Sequence, residues 1–198
     1  SRGFSFRGDA SVDMRMNQRK PKTANDILNL YTEEQLADTF YLYGELKQAR
    51  RIASAIIKAR SANKVWTTSE LSDVVTPFIG RDREKKDLAR LFQALRIEVN
   101  GEMDALREML CQTVNLLSPG GRLVVMTYHS LEDRIVKRTF AELAQGCTCP
   151  PSFPVCVCGK KPTIELVNRK PLTASEEELA QNNRSHSAKM RAARKLEI

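Results

Sequence analysis

Four cysteines fall within one short stretch, Cys147-Thr-Cys149-Pro-Pro-Ser-Phe-Pro-Val-Cys156-Val-Cys158-Gly159. Thiolates are soft donors, and four of them can close a tetrahedral zinc site, with Gly159 relaxing the turn behind it. The spacing is Cys-x-Cys twice, whereas structural zinc usually has two or more residues between paired ligands, so two other readings stand beside zinc: reduced, metal-free thiols in a loop, and disulfides formed after purification. A second group is Tyr128-His129-Ser130-Leu131-Glu132-Asp133-Arg134, polar residues directly after an apolar run. Ligands of open α/β folds bind outside the carboxyl ends of strands, which would turn His129 and Ser130 toward a substrate; the competing reading is that His129 merely caps the following helix. A third is the stretch from Lys47 to Lys64, where Lys47, Arg50, Arg51, Lys58, Arg60 and Lys64 stand without a single acid. Such a face either contacts phosphates or is simply solvated.

The elements that must carry these groups follow from period and punctuation. Residues 1–31 sustain no period and read as loop. Capping boxes at Thr32 with Gln35 and at Thr67 with Glu70 open helices, and Gly44 divides the first apolar series in two. Leu88, Leu91, Phe92, Leu95 and Ile97 mark a further helix, and Met103 to Leu117 another, stopped by Ser118-Pro119-Gly120-Gly121. Residues 32–117 are thus almost wholly helical. Arg122 to Tyr128 then reads as a buried strand, and Ser130 with Asp133 as the cap of a helix through Phe140 and Leu143, which together make half of a doubly wound unit. The Cys-rich segment 146–161 must be an irregular loop, Thr163 to Val167 alternates as a strand, and Ser175 with Glu178 caps a short acidic helix. The basic end from Ser187 to Leu196 fits strand and helix alike.

Composition narrows the function classes. With 198 residues, 41% apolar, 28% charged and a formal charge of +8, the chain is an ordinary globular domain or one and a half, with a polyanion as the leading partner. No window approaches a membrane span and the first residues lack a signal-peptide layout, so a soluble cytoplasmic protein with no membrane partner is expected. There is no Walker loop, nucleophile elbow, HExxH or complete dinucleotide fingerprint, and the one paired-glycine turn precedes a strand instead of following it. The chain opens at Ser1 with residues that read like the inside of a domain, and a fragment of a longer protein is expected.

Six strings occur in order: Arg2-Gly3-Phe4-Ser5-Phe6, Asp13-Met14-Arg15-Met16, Phe92-Gln93-Ala94-Leu95-Arg96-Ile97-Glu98-Val99-Asn100, Pro119-Gly120-Gly121-Arg122-Leu123, His129 to Lys137, and Arg184-Ser-His-Ser-Ala-Lys189. With them the chain closely resembles the RsmH (MraW) family, S-adenosylmethionine-dependent methyltransferases acting on the exocyclic N4 amine of a cytidine in small-subunit ribosomal RNA. The resemblance implies an α/β fold: the C-terminal half of a Rossmann-like class I methyltransferase domain plus a mostly helical inserted domain. Residues 1–19 would be a loop of the methyltransferase domain, 20–105 the helical insertion that recognises RNA, and 106–198 the C-terminal part, with the Cys-rich loop at 146–161.

The family's Gly-rich loop and acidic cofactor residues lie before the Arg-Gly-Phe-Ser-Phe string. No cofactor-binding residue is therefore carried over, and catalytic residues stay unassigned. By resemblance His129 and Ser130 would lie near the substrate pocket, with Asp13 and Arg15 at its rim. Arg96 and Asn100 would sit where insertion and catalytic domain join, and Arg50, Arg51, Lys58 and Arg60 would meet phosphates. The structural alternative for Asp13 and Arg15 is an ion pair pinning their loop. Two further expectations follow: the fragment alone does not bind S-adenosylmethionine or act, and it self-associates through the unpaired edge of the strand at 123–128. A non-catalytic RNA-binding module is the alternative function, and a zinc-stabilised protein-interaction domain a more distant one.

Overall fold

The computed structural model describes residues 2–61 and 64–197. The chain divides into two compact units, Ser1–Glu102 and Met103–Ile198, each with its own core.

The first unit is helical: α1 (Ala24–Leu30), α2 (Glu33–Leu42), α3 (Ala49–Ala59), α4 (Thr68–Val75) and α5 (Glu84–Asn100). Thr32 with Gln35 and Thr67 with Glu70 both form reciprocal capping boxes, each satisfying two otherwise orphan backbone donors. α1 is a helix where loop was expected; its seven residues are too few to show a period, but Thr23 and Asp26 cap it reciprocally. The chain turns between α2 and α3 at Gly44, which lies against the Phe40 and Arg90 carbonyls so closely that a Cβ would sit 2.7 and 3.2 Å from them. Trp66, Phe40, Ile52, Ile56, Leu71 and Leu91 are fully buried between the helices.

The N-terminal segment belongs to this core. Val12 and Met14 are fully buried, and the Val12 and Asp13 carbonyls accept from the N–H groups of Asn25 and Ala24 at 2.8 Å, closing the start of α1. Val12 N–H donates to Trp66 and Thr68 N–H to Ala10, so the segment is also stitched to the start of α4.

The second unit packs α6 (Glu102–Leu116, its first residue assigned to the first unit) and α7 (Ser130–Ala144) on one face of a sheet of β1 (Arg122–Thr127), β2 (Ile164–Leu166), β3 (Leu172–Thr173) and β4 (Lys189–Lys195), with the short α8 (Glu176–Gln181) beside it. The order is β1-β4-β2, with β3 also on β4, and every pairing is antiparallel. The basic C-terminal end, open between helix and strand in the sequence, is the central strand. Ala192 and Ala193 let it sit there: Ala193 is buried on the helix-covered face, opposite Leu123. On the other face Val124, Met126 and Tyr128 stay more than half exposed, and no described strand pairs with the outer edge of β1. Among the described residues no helix is long and apolar enough to cross a membrane.

Candidate functional site

In the first unit, the Asp13-Met14-Arg15-Met16 string is a fixed structure. Met14 holds a left-handed backbone, φ +60°, a conformation that costs a non-glycine residue about 1–2 kcal/mol and persists only where the surroundings impose it. Asn100, at the end of α5, imposes it: its amide donates to the Met14 carbonyl at 2.9 Å and its carbonyl accepts from Met16 N–H at 2.8 Å. Arg2 bonds on both sides, accepting from Met14 N–H and donating to the Arg15 carbonyl.

Asp13 and Arg15 form a bidentate pair at 2.8 Å, and the Arg15 hydrogen bond, offset by burial, holds the Asp13 carboxyl below its ordinary range. The remaining Arg15 nitrogen donates to the Gln18 and Lys20 carbonyls. This is the geometry of the pin. Arg96, one turn before Asn100, makes a bidentate pair with Glu102 at 2.8 and 2.9 Å.

The basic residues of 47–64 separate into two kinds. Arg50, Arg51 and Lys58 stand exposed on α3, with the Arg51 guanidinium 5.7 Å above the Phe78 ring. Arg60 turns inward and donates to the Tyr31 carbonyl at 2.7 Å, satisfying the open end of α1. Sequence reasoning missed a pocket of about 410 Å³ at the start of α3, where Lys47 and Gln48 meet Arg83, Asp87 and Arg90. Asp87 is buried, with Arg83 and Arg90 at 3.7 and 3.8 Å, so two arginines some forty positions away join the cations of α3. Nothing local signals this; only folding brings them together.

In the second unit, His129 and Ser130 stand at the carboxyl end of β1, where the apolar run predicted them. Of the two caps the sequence offered, Ser130 with Asp133 and His129 itself, the structure uses His129. His129 is the N-cap and Glu132 its partner, because His129 is still extended when the helix begins. Glu132 accepts from the N–H groups of Tyr128 and His129, and its own N–H reaches His129 Nδ1 at 3.4 Å. Burial pushes the Glu132 carboxyl up, but the bonds from the His129 side chain and Tyr128 N–H outweigh it, so it is held ionised. Ser130 begins α7 and makes its own interaction.

Asp133 is released from capping and meets Arg191 of β4 at 2.7 Å, with Lys189 at 3.6 Å. Near this end of the sheet lies a cavity of about 750 Å³ lined by Met126, Tyr128, Leu172, Glu178, Asn182 and Arg184 among others. Apolar walls with a few convergent polar groups suit a planar, hydrogen-bonding ligand. Of its polar lining, Tyr128, Arg184 and Ser185 belong to strings singled out in the sequence.

The four clustered cysteines converge. Their sulfur atoms all lie within 4.8 Å of one another, and Cys111 stands apart on α6. The Cys149 N–H draws the Cys147 thiol down, but thiol hydrogen bonds from Cys156, Cys149 and Cys158 prevail and push it up to about 11. N–H donation from Thr148 and Lys160 pulls Cys158 down to about 5.

Comparison with known proteins gives a consistent result. The family described as the MraW methylase family matches residues 1–196. A Carboxydothermus hydrogenoformans protein named ribosomal RNA small subunit methyltransferase H is 50% identical over 198 residues, covering 98% of this chain and 63% of its own length. Proteins of the same name from Bacteroides fragilis and Brevibacillus brevis are 53% and 46% identical, with the same coverage. The chain thus spans 63% of the length of these relatives.

Proposed function

The chain belongs to the MraW methylase family, and on that premise we propose that the whole protein transfers a methyl group from S-adenosylmethionine to the exocyclic N4 amine of a cytidine in small-subunit ribosomal RNA. The observation that carries this is the match over residues 1–196, joined to relatives about half identical that are named for methylating that RNA. Residues 106–198 are then the C-terminal part of a Rossmann-like domain and 20–105 a helical insertion, with 1–19 a connecting segment of the methyltransferase domain that packs into the core of the helical unit, in a cytoplasmic enzyme.

The residues present here do not fit the cofactor. At the β1–α7 junction there is no glycine, and the N–H groups of Tyr128, His129 and Glu132 are taken up by the side chains of Glu132 and His129 and are not open to a nucleoside. The proposed work of this chain is on the RNA. A cytosine amine is a poor nucleophile because its lone pair is delocalised into the ring, so the base must be unstacked and its amine held in line with the incoming methyl. His129 and Ser130 are proposed beside that base; in the first unit, Asp13 and Arg15 shape an RNA-facing loop, Arg96 and Asn100 brace it, and Arg50, Arg51 and Lys58 contact phosphates. Arg60 contributes through its partial exposure only, its guanidinium being bonded to the Tyr31 carbonyl.

The test is incubation with labelled S-adenosylmethionine and small-subunit ribosomal RNA, followed by nucleoside analysis. N4-methylcytidine is expected from the protein extended to the full length of its relatives, and none from this chain alone. Label on another nucleoside, or none with the extended protein, overturns the reading.

A second reading, RNA binding without catalysis by this chain itself, is favoured by the exposed cations of α3. Each phosphate contact adds about 0.7–0.9 to the slope of log affinity against log salt, so replacing Arg50, Arg51 and Lys58 by Ala should flatten the slope by about 2–3. An unchanged slope removes α3 from the interface.

The open edge of β1 and the bare face at Val124 and Met126 support a further proposal, that this chain pairs with a second copy of itself in solution. Light scattering at the mass of a monomer, against the 22.4 kDa of one chain, refutes it.

A further inference from the structure

We propose that Cys147, Cys149, Cys156 and Cys158 form a structural zinc site that fixes the loop between α7 and β2. This goes beyond methyl transfer and does not depend on it.

The four sulfurs are close enough together to share one ion. A zinc ion with Zn–S bonds of about 2.3 Å spaces its sulfurs about 3.8 Å apart. Cys156 and Cys158 are 3.6 Å apart, Cys158 and Cys147 3.7 Å, and all four sulfurs lie within 4.8 Å of one another. The tight Cys-x-Cys spacing is met by pairing across the loop: the two dipeptide turns face each other, so ligands eleven positions apart become neighbours.

The backbone supports sulfur that carries charge. Thr148 N–H donates to Cys158 at 3.5 Å, Cys149 N–H to Cys147 at 3.4 Å, and Val157 N–H to Cys149 at 3.4 Å. Gly159 follows the last ligand with φ +62°, the left-handed turn that lets the chain fold back behind it. Orienting N–H groups on ligand atoms is how a protein fixes a metal's ligands.

The loop is held by few contacts: apart from the bonds to sulfur, Phe153 N–H donates to the Pro150 carbonyl at 3.0 Å. Its apolar residues face water, Val155 and Val157 at 70% and 73% exposure, and the loop is closed at its base by Thr163 donating to the Leu143 carbonyl. An apolar core does not order it; a metal clip across it would, and binding free energy at such a site is folding free energy. With four protein ligands no position is left for water or substrate, so the role is structural, and binding displaces the thiol protons to solvent.

The experiment uses this chain purified without chelator and under reducing conditions. Its zinc content is measured, the metal is stripped, and cobalt(II) is titrated as a spectroscopic probe of tetrahedral thiolate coordination. One equivalent of zinc and a four-thiolate cobalt spectrum are expected. Cys149→Ser and Cys156→Ser should each weaken binding by about a hundredfold, while Cys111→Ser leaves it unchanged. Amide exchange of β1 and β4 separates loss of the ion from loss of the fold. Four thiols that titrate freely in the presence of zinc, two disulfides in a sample never oxidised, or equal loss in Cys111→Ser each overturn the proposal.

Discussion

Asp133→Asn is expected to lower the stability of the second unit by about 3–5 kcal/mol, the usual consequence of leaving one member of a buried ion pair without its partner. Arg191 is 7% exposed and its guanidinium donates to both Asp133 oxygens, at 2.7 and 3.2 Å. The substitution preserves shape and removes charge, so the cation stays desolvated and loses most of its compensation. A comparison comes from the same strand: Arg194 and Glu165 pair across β4 and β2 with both side chains nearly half exposed, and Arg194→Ala should cost under about 1 kcal/mol. Amide exchange of β1 and β4 distinguishes the two, and equal protection in both variants would refute the assignment.

The same pair sets an acid limit. The Arg191 hydrogen bond, against some burial, holds the folded-state pKa of Asp133 below its ordinary value. A depressed carboxyl contributes stability that is present above the unfolded value of about 3.9 and is lost as pH falls through the folded value. Exchange protection of β4 should therefore decline below about pH 4 in the natural chain, and this part of the decline should vanish in Asp133→Asn. Since Asp133 pins the first turn of α7 to β4, the variant also loosens the end of the sheet at which His129 and Ser130 stand, and the proposed methylation should fall with it.

What was legible in the sequence was local. The boxes at Thr32 and Thr67 need only two residues three apart, and both form; the Gly44 break and the Ser118-Pro119-Gly120-Gly121 stop are equally self-contained. Failures came where a distant residue decides. Ser130 with Asp133 is a sound cap on spacing alone, but Arg191, 58 positions later, pairs with Asp133, and the cap is His129, the alternative the sequence also offered, with Glu132 as its partner. Residues 189–195 carry basic side chains in a central strand because their partners on both sides are supplied by other segments, which no period within the strand records. Arg60 reads as one more surface cation until α1, itself too short to show, presents its carbonyls. The cysteine cluster was visible as a motif, while its facing arrangement depends on how a proline-rich loop folds back, which spacing does not encode.

Asn100→Ala is expected to cost the first unit about 2–4 kcal/mol. The side chain makes three hydrogen bonds, to the Met14 and Arg96 carbonyls and from Met16 N–H. Two of these link segments more than eighty positions apart; their loss leaves the part-buried Met14 carbonyl unpaired, at about 1–3 kcal/mol before solvent relieves it, and frees the exposed Met16 N–H at smaller cost. Without the clamp, only the Arg2 bonds on either side oppose the strain of the left-handed Met14 backbone, and relaxing it draws a fully buried side chain from the core. Trp66 is the chain's only tryptophan and is itself buried here, so urea unfolding followed by its fluorescence reads the change.

A second readout isolates the segment. The bond after Arg15 lies inside the clamped string, and trypsin should cut it faster in Asn100→Ala even under conditions where Trp66 stays buried. Met14→Gly tests the strain from the other side. It removes the backbone penalty while emptying a core site, so it should lower stability yet leave the bond after Arg15 protected, because Asn100 still holds both neighbours. If trypsin cuts both variants alike, the clamp is not what holds Asp13 to Met16, and the proposed bracing of an RNA-facing loop by Asn100 fails with it.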